Sequence, residues 1–306
     1  MSCQADRVSD EIDAFDLSLL AEIQRDGRAT YEALSRTLGL SRPATRARLV
    51  RLLDSGVVSI VGVAHPAVFG LRVYGHVSIA VEGPVLPLAE EVAAMREAAF
   101  VSVVGGEHAV IAELRCRDQA TLAATTRRIS ALPGVRTTST AIYTEILKDT
   151  YFPPGPYSPT TIDDVDRRLI SLLQHDGRAS FADLGVEVGL STSAARTRVL
   201  RLLESGTVHV GARIHPGALG RVHVVGVGLT FAGDPAKAVE TMTRLPEVVY
   251  FATSVGRYDA IATLSAHSAD GVLQLIETVR AAPGVRSVSA WTHLRLIKEL
   301  YDQRVG

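Results

Sequence analysis

The sequence DGRATYEALSRTLGLSRPATRARLVRLLDSGVV occupies residues 26–58, and a close copy, DGRASFADLGVEVGLSTSAARTRVLRLLESGTV, occupies residues 176–208. The copies are in register at a spacing of 150 residues, and the similarity extends to LPGVR at 132–136 against APGVR at 282–286. A repeat of this period indicates that a complete structural unit of about 140 residues is duplicated.

Each copy begins with a predicted amphipathic helix. Apolar residues recur at helical spacing over residues 15–23 and again over 165–173. We expect the helix to end where Gly27, or Gly177 in the second copy, supplies a left-handed cap.

A tight turn follows in each copy. Gly39 and Gly189 stand between apolar residues, and a serine, Ser41 or Ser191, comes two residues later as a candidate N-cap. We expect glycine here because a side chain would block the close crossing of two short helices. The arrangement predicts a helix-turn-helix.

The next helix, over about residues 41–55 and 191–205, is the predicted recognition helix. Its buried stripe is Thr45, Leu49 and Leu52 in the first copy, and its other faces carry arginines, which suit guanine edges and phosphates. We expect Arg42, Pro43 and Arg46, with Thr192, Ser193 and Arg196, to lie nearest the bases. The other arginines are predicted phosphate contacts or internal salt-bridge partners. The full set of predicted DNA contacts is Ser41, Arg42, Pro43, Arg46, Arg48 and Arg51, with Ser191, Thr192, Ser193, Arg196, Arg198 and Arg201.

After this helix, VVSIVGVAHP at 57–66 and TVHVGARIHP at 207–216 predict a wing or a connecting strand. The His-Pro pair that ends each run indicates a turn rather than a metal ligand, because no second ligand residue stands at suitable spacing. No metal site, cofactor or catalytic group is predicted.

The remainder of each copy has the order strand, helix, strand, strand, helix, strand. This order predicts a ferredoxin-like βαββαβ domain with both helices on one face of its sheet, and we expect the two copies to cover each other's free face. The predicted strands are 73–81, 101–104, 109–114 and 137–146, then 222–229, 248–254, 260–264 and 287–297; the predicted helices are 87–98, 118–132, 235–245 and 269–282.

The predicted fold class is therefore α+β, with two winged helix-turn-helix domains and two ferredoxin-like βαββαβ domains in tandem. FPPGPYSPTT, between the copies, is rich in proline and predicts a semi-stiff linker. The predicted divisions are residues 1–64, 65–151, 152–161 for the linker, 162–214 and 215–306.

The turn between the second and third strands of each βαββαβ domain is a candidate effector site. The second copy has Gly256, Tyr258 and Asp259, and the first has Gly105 and His108 at this turn. A glycine turn with an acid and a hydroxyl could hold the ammonium and carboxylate of an amino acid. The alternative is a plain hairpin in which the aspartate caps its own turn.

Composition limits the remaining classes. The formal net charge is −1, so attraction to nucleic acid must come from a local basic surface. Cys3 and Cys116 are the two cysteines, which fits a reducing compartment without disulfides. No apolar run approaches a membrane span, and we expect a cytoplasmic protein.

The pattern DxxDxxLLxxLQxDGRxSxxxLxxxxGLSxxxxRxRxxRLLxSGxV followed by βαββαβ resembles the leucine-responsive regulator/AsnC family of prokaryotic transcription factors. The resemblance covers roughly residues 10–151 and 162–301. It implies double-stranded DNA and an amino-acid-like metabolite as partners, and homo-oligomers that pair through the βαββαβ domains. It implies an effector site at Gly256, Tyr258 and Asp259, whereas His108 replaces the family's usual aspartate in the first copy.

Two other functions stay open at this level. Some proteins that resemble this family decarboxylate sirohaem, and His76, His108 or His223 could be recruited for such chemistry. In a third possibility the βαββαβ domains only form oligomers and bind no ligand. The unbroken basic face of both recognition helices favours a DNA-binding regulator that is not an enzyme.

Overall fold

The structure is a computed structural model that describes residues 12–149, 157–158, 160–214 and 223–299. Its helices are α1 (Ala14–Arg25), α2 (Tyr31–Leu38), α3 (Arg42–Asp54), α4 (Val85–Ala94), α5 (Gln119–Ser130), α6 (Asp164–His175), α7 (Phe181–Val188), α8 (Thr192–Glu204), α9 (Ala236–Arg244) and α10 (Ala269–Ala281). Its strands are β1 (Val58–Ala64), β2 (Val73–Val81), β3 (Ala98–Gly105), β4 (Val110–Cys116), β5 (Val135–Asp149), β6 (Val208–Ile214), β7 (His223–Phe231), β8 (Val248–Val255), β9 (Ala260–Ala266) and β10 (Val285–Glu299). The predicted α+β class and the duplication are confirmed.

The chain forms two compact units, and each unit contains one part from both copies. The first unit contains both helix-turn-helix segments, and the second contains both βαββαβ segments. The predicted domain boundaries in the sequence remain predictions. In the structure, the equivalent segments of the two copies fold together.

In the first unit, β1 and β6 pair antiparallel and form a two-stranded sheet. Val61 lies opposite Gly211, its own counterpart 150 residues later, so a local two-fold axis passes between them. The predicted wing is thus a single strand per copy that pairs across the duplication. The leucines of both copies pack around it in one shared hydrophobic core, among them Leu19, Leu52 and Leu202.

The expectation that Gly27 and Gly177 are left-handed caps is wrong. Neither has a positive φ, and the helices end at extended Asp26 and Asp176 instead. The Gly27 N–H donates to the Val210 carbonyl at 2.8 Å, and the Gly177 N–H donates to the Ile60 carbonyl at 2.9 Å, where a Cβ on Gly177 would lie 3.1 Å from the same oxygen. These glycines are needed because the backbone of each helix terminus lies directly against the strand of the other copy.

The reason for glycine in the helix-helix turn also differs from the one expected. Gly39 has φ +65° and Gly189 has φ +71°, and among the described residues nothing lies within 4 Å of a Cβ at either position. Backbone conformation, not lack of space, requires glycine here.

In the second unit, the eight strands form a closed barrel in the order β10-β3-β4-β2-β5-β8-β9-β7. The first βαββαβ sheet joins the second twice, because β5 pairs with β8 and β10 pairs with β3. We expected the two sheets to cover each other's free face. They do so by joining at both edges into a closed barrel, in which each of the eight described strands is paired on both sides.

The helices α4, α5, α9 and α10 pack on the outer face of the barrel. Alternate residues of each strand, such as Val77 and Ile79 on β2, face these helices in two separate hydrophobic clusters. The residues between them, such as His76 and Ser78, face the interior. A further cluster that includes Trp291 fills part of that interior.

One helix boundary differs from the prediction by several residues. Helix α4 spans Val85–Ala94 rather than 87–98, because Met95 is extended and the Ala98 N–H bonds to the Met95 carbonyl in a turn. Ala98 consequently begins β3.

Some predicted features lie outside the described residues: Cys3, most of the linker at 152–161, and the His215-Pro216 pair. Within the described part of the chain, no helix is both long and apolar enough to cross a bilayer. Cys116 is buried there as a free thiol, and burial raises its pKa to about 11.

Candidate DNA-binding helices and barrel interior

The N-terminal turn of each recognition helix is exposed. Ser41 caps α3 through its hydroxyl, which accepts from the Ala44 N–H, and Arg42 and Pro43 follow as the first two residues. Ser191 caps α8 in the same way, accepting from the Ala194 N–H. The exposed ends of the two helices therefore have equivalent capping geometry, although Pro43 leaves the first turn of α3 with one backbone N–H fewer than that of α8.

The exposed side chains at these two ends differ. Arg42 and Arg46 on α3 have no hydrogen-bond or ion-pair partner among the described residues. The corresponding positions on α8 hold Thr192 and Arg196. The end of α3 thus carries one more positive charge than the end of α8.

Arg48 and Arg51 are bound inside the domain. Arg48 Nη1 lies 2.7 Å from Asp13 Oδ2 and 2.9 Å from Asp16 Oδ1, and Arg51 pairs with the other oxygen of Asp16. Asp16 is fully buried, so the pairs join α1 to the recognition helix. Hydrogen bonds and the charges of the two aspartates raise the pKa of Arg48.

The second copy repeats this network. Arg198 Nη1 lies 2.7 Å from Asp163 and 3.0 Å from Asp166, and Arg201 also pairs with Asp166. The sequence predicts these arginines as phosphate contacts or as internal salt-bridge partners, and the structure shows the internal salt bridges. Phosphate contacts by these four arginines stay a prediction.

Arg28 and Arg178, in the repeated DGR motif, join the two copies, a role that sequence reasoning missed. Arg28 donates to the carbonyls of Gly177 at 2.7 Å and Ala179 at 2.9 Å, and Arg178 donates to the carbonyl of Ala29 at 2.8 Å. Burial, with the charge of Arg178, lowers the pKa of Arg28. The unchanged DGR in both copies was a usable signal.

Aromatic rings complete this contact between the copies. The Arg28 guanidinium lies 4.7 Å above the ring of Phe181, and the Arg178 guanidinium lies 5.2 Å from the ring of Tyr31. Stacking and hydrogen bonds therefore join the segment before α2 of one copy to the segment before α7 of the other.

In the barrel unit, the two predicted effector turns lie against each other. Arg257 of the second turn pairs with Glu107 of the first, and its Nη1 lies 3.4 Å from His108 Nε2. Gly105 begins the first turn, and a Cβ on Gly256, at φ +142°, would lie 2.6 Å from the Thr140 carbonyl oxygen. Both turns therefore contribute to one surface.

Asp259 and Tyr258 have structural contacts at this turn. The Asp259 carboxylate accepts from the Phe231 N–H at the end of β7 at 2.7 Å, so it binds the neighbouring strand rather than capping its own turn. Tyr258 is buried, with its ring 6.1 Å from that of Trp291. Their participation in effector binding stays a prediction.

The interior of the barrel contains polar groups without partners. Among the described residues, both ring nitrogens of His76, Nε1 of Trp291 and Nδ1 of His293 are buried and make no hydrogen bond. Burial, with the nearby His293 and His108, lowers the pKa of His76 to about 3, and burial lowers that of His293 to about 4. His76 is therefore neutral at physiological pH.

The three histidines considered for catalysis are not all together. His76 and His108 are close enough to interact electrostatically. His223 begins β7 and stands two residues before the helix-facing Val225, on the same face of the strand, so it lies on the outer side of the sheet. Within the described residues, no three potential ligand side chains are placed to bind a metal.

A second polar group in the interior, Glu113 with Tyr143 and Tyr250, was also missed. The Tyr143 hydroxyl donates to Glu113 Oε1 at 2.8 Å, and the Tyr250 ring centroid lies 5.9 Å from that of Tyr143. Burial raises the pKa of Glu113 and, more strongly, the pKa values of both tyrosines. The counterpart of Glu113 in the second copy is Thr263, so only one side of the barrel has this acid.

Comparison with known proteins agrees with this architecture. The AsnC-type helix-turn-helix domain matches twice, at residues 12–53 and 162–203. The Lrp/AsnC ligand binding domain matches residues 76–152, and a C-terminal dimeric alpha+beta barrel domain matches residues 236–303.

LrpA, an HTH-type transcriptional regulator of Mycobacterium tuberculosis, is 32% identical over 131 residues. The match covers 42% of this chain and 87% of the relative. The chain belongs to the Lrp/AsnC family. The FL11 regulator of Pyrococcus abyssi is similar at 26% identity over 45% of this chain and 93% of its own length, so each relative corresponds to one half of this Lrp/AsnC protein. DNA binding through helix-turn-helix domains follows from membership.

Among solved structures, the sirohaem decarboxylase NirDL resembles the whole chain. The TM-score is 0.69 with 13% sequence identity, and the match covers 96% of this chain and 95% of NirDL. At this identity the likeness concerns the fold, and it shows that a full-length duplicated arrangement occurs in another protein.

Proposed function

We propose that this Lrp/AsnC protein binds an asymmetric operator with two non-equivalent recognition helices and responds to a small metabolite, an amino acid or a related compound. The observation that carries the first part is the two-fold pairing of β1 with β6 around Val61 and Gly211. Two-fold related recognition helices fit two half-sites of opposite orientation. Since the exposed residues differ, the half-sites differ in sequence.

The central contacts in this proposal are Arg46 and Arg196. Both are exposed and unpaired among the described residues, and each lies one helical turn from its serine cap. A bidentate arginine-guanine contact contributes about 1–3 kcal/mol, which corresponds to roughly tenfold or more in affinity.

Selection from random DNA first defines the operator, and footprinting then compares Arg46→Ala with Arg196→Ala. We expect each change to weaken a different half-site by about tenfold. Arg244→Ala, which removes an exposed arginine from α9 in the barrel unit, is the matched control. Weakening of the same half-site by both changes contradicts the two-helix proposal.

For the effector, we propose the joined turns, with Gly256, Tyr258, Asp259, Gly105 and His108. The proximity of Arg257, Glu107 and His108 supports this, because a zwitterion needs both charges nearby. Operator affinity is measured with and without a pool of amino acids, in wild type and in Asp259→Ala. We expect the response to disappear in Asp259→Ala while affinity without effector is retained; an unchanged response contradicts this site.

The alternative enzyme function, sirohaem decarboxylation, is tested by the visible absorption spectrum of the purified protein together with its salt-sensitive retention on DNA. A tetrapyrrole band without DNA affinity would favour the enzyme. The arginines at the exposed ends of the recognition helices favour the regulator.

A further inference from the structure

The unpartnered nitrogens inside the barrel indicate an unassigned site. His76 is 2% exposed and Trp291 8% exposed, and their ring centroids are 5.4 Å apart. Buried N–H groups without acceptors cost about 1–3 kcal/mol each, so native proteins normally give them a partner. Here two donors close together have none among the described residues.

The strand register explains how these groups meet. His76 on β2 lies opposite Glu113 on β4 and Ala141 on β5, all facing the interior. Trp291 on β10 lies opposite Gly226, where a Cβ would be 2.0 Å from the indole Nε1. The indole can therefore lie deep in the barrel only because residue 226 is glycine.

The duplication shows that this placement is specific to one side. The counterpart of His76 in the second copy is Gly226, and the counterpart of Trp291 in the first copy is Ala141. A merely inherited two-fold core would have similar residues at both pairs of positions. Instead, one pair provides two hydrogen-bond donors and the other provides small residues.

We propose that the barrel interior beside His76 and Trp291 is a binding site for a small monocarboxylate, whose oxygens accept from the two ring N–H groups. His293, with a further buried nitrogen, lies close enough to interact electrostatically with His76. The turn that begins at Gly105 lies beside β10 at Trp291, since a Cβ on Gly106 would lie 3.5 Å from Trp291 Cβ.

Charge balance determines how such a ligand is held. An isolated carboxylate in a buried site is expensive, whereas a carboxylate paired with an imidazolium is not. The titratable groups that face His76 are Glu113 from β4, His293 from β10 and His108 from the turn after β3; β5 contributes Ala141. Binding therefore brings one proton from solvent to His76.

Trp291 is the only tryptophan of the chain, so its fluorescence reports directly on the site. The full-length protein is titrated with sodium acetate against sodium chloride at equal ionic strength. We expect a saturable change in emission with acetate alone. Because His76 has a pKa of about 3 in the free protein and takes up one proton with each carboxylate, the apparent affinity should fall about tenfold per pH unit as the pH rises through neutrality.

Variants separate hydrogen bonding from packing. His76→Phe should abolish the saturable change, and His76→Gln, which keeps an N–H but takes up no proton, should bind weakly and without pH dependence. His223→Phe, on the outer side of β7, should behave as wild type. Circular dichroism checks that each variant is folded. If His76→Phe does not fold, the comparison of His76→Gln with wild type tests the proposal.

A linear emission change that is equal in acetate and chloride would overturn the proposal, and would leave buried water as the partner of these nitrogens. A saturable acetate response that persists in folded His76→Phe, or one in wild type without pH dependence, would also overturn it. The acetate titration contains no DNA, and the Asp259→Ala variant should retain the acetate response. Failure of the proposed carboxylate site is therefore distinguishable from failure of the proposed effector turns.

Discussion

The two copies of the duplication have stayed similar in the helix-turn-helix unit but have diverged in the barrel unit. In the helix-turn-helix unit, the buried ion pairs are the same in both copies: Asp16 binds Arg48 and Arg51, as Asp166 binds Arg198 and Arg201. In the barrel, interior positions have diverged. The contrast indicates that the spacing of the recognition helices must be symmetric, whereas the interior of the barrel has been free to specialise.

The largest test of the symmetric unit is Asp16→Ala compared with Asp166→Ala. Each change removes the buried acceptor of two arginines and one half of a capping box. We expect each to lower the free energy of unfolding of this unit by about 3 kcal/mol. Chemical denaturation measures the loss. A difference between the two variants above about 1 kcal/mol contradicts equivalence of the copies.

Acid should distinguish the units. The pKa of His76 is about 3 in the folded barrel and about 6.5 when unfolded, so the unfolded state binds more protons between these values. Stability of the barrel is therefore complete above about pH 6.5 and falls as pH decreases, by about 2 kcal/mol at about pH 5 from this residue. In the other unit, the lowered pKa values of Asp13 and Asp163 maintain stability until the pH falls below about 3.8.

Thermal unfolding followed by Trp291 emission, as a function of pH, measures the barrel. His76→Phe should remove part of the acid sensitivity, and His293, with a pKa of about 4, should supply the remainder. A pH profile identical in wild type and His76→Phe would contradict this assignment.

The smallest effect concerns the turn before each recognition helix. Gly39→Ala and Gly189→Ala place a Cβ in open space but on a left-handed backbone. We expect each to cost about 1 kcal/mol, and to do so equally in both copies. Melting temperatures measure it, with Ala33→Gly on α2 as a control that weakens a helix without altering the turn. A loss near zero would contradict the conformational role of glycine.

The sequence predicts the architecture well where contacts are local or repeated. The helix boundaries at Ser41 and Ser191 follow from capping, and the buried stripe of Thr45, Leu49 and Leu52 follows from helical spacing. Repetition at 150 residues identifies the copies. These features need no knowledge of distant contacts.

Contacts between the copies could not be predicted in the same way. The approach of Gly27 to Val210 and the pairing of β1 with β6 depend on residues about one copy apart, and single-strand patterns do not specify a partner. The meeting of His76 with Trp291 depends in addition on Gly226, whose role is visible only once the barrel is closed.

The pairing of β1 with β6 also has a consequence for biosynthesis. When the ribosome has completed the first copy, β1 has no partner, and the edges of β3 and β5 that later join β10 and β8 are open. Until the second copy emerges, the nascent chain exposes three strand edges able to pair with another nascent chain on the same message. Slow synthesis between residues 150 and 214 would prolong this interval and favour exchange of copies between neighbouring chains.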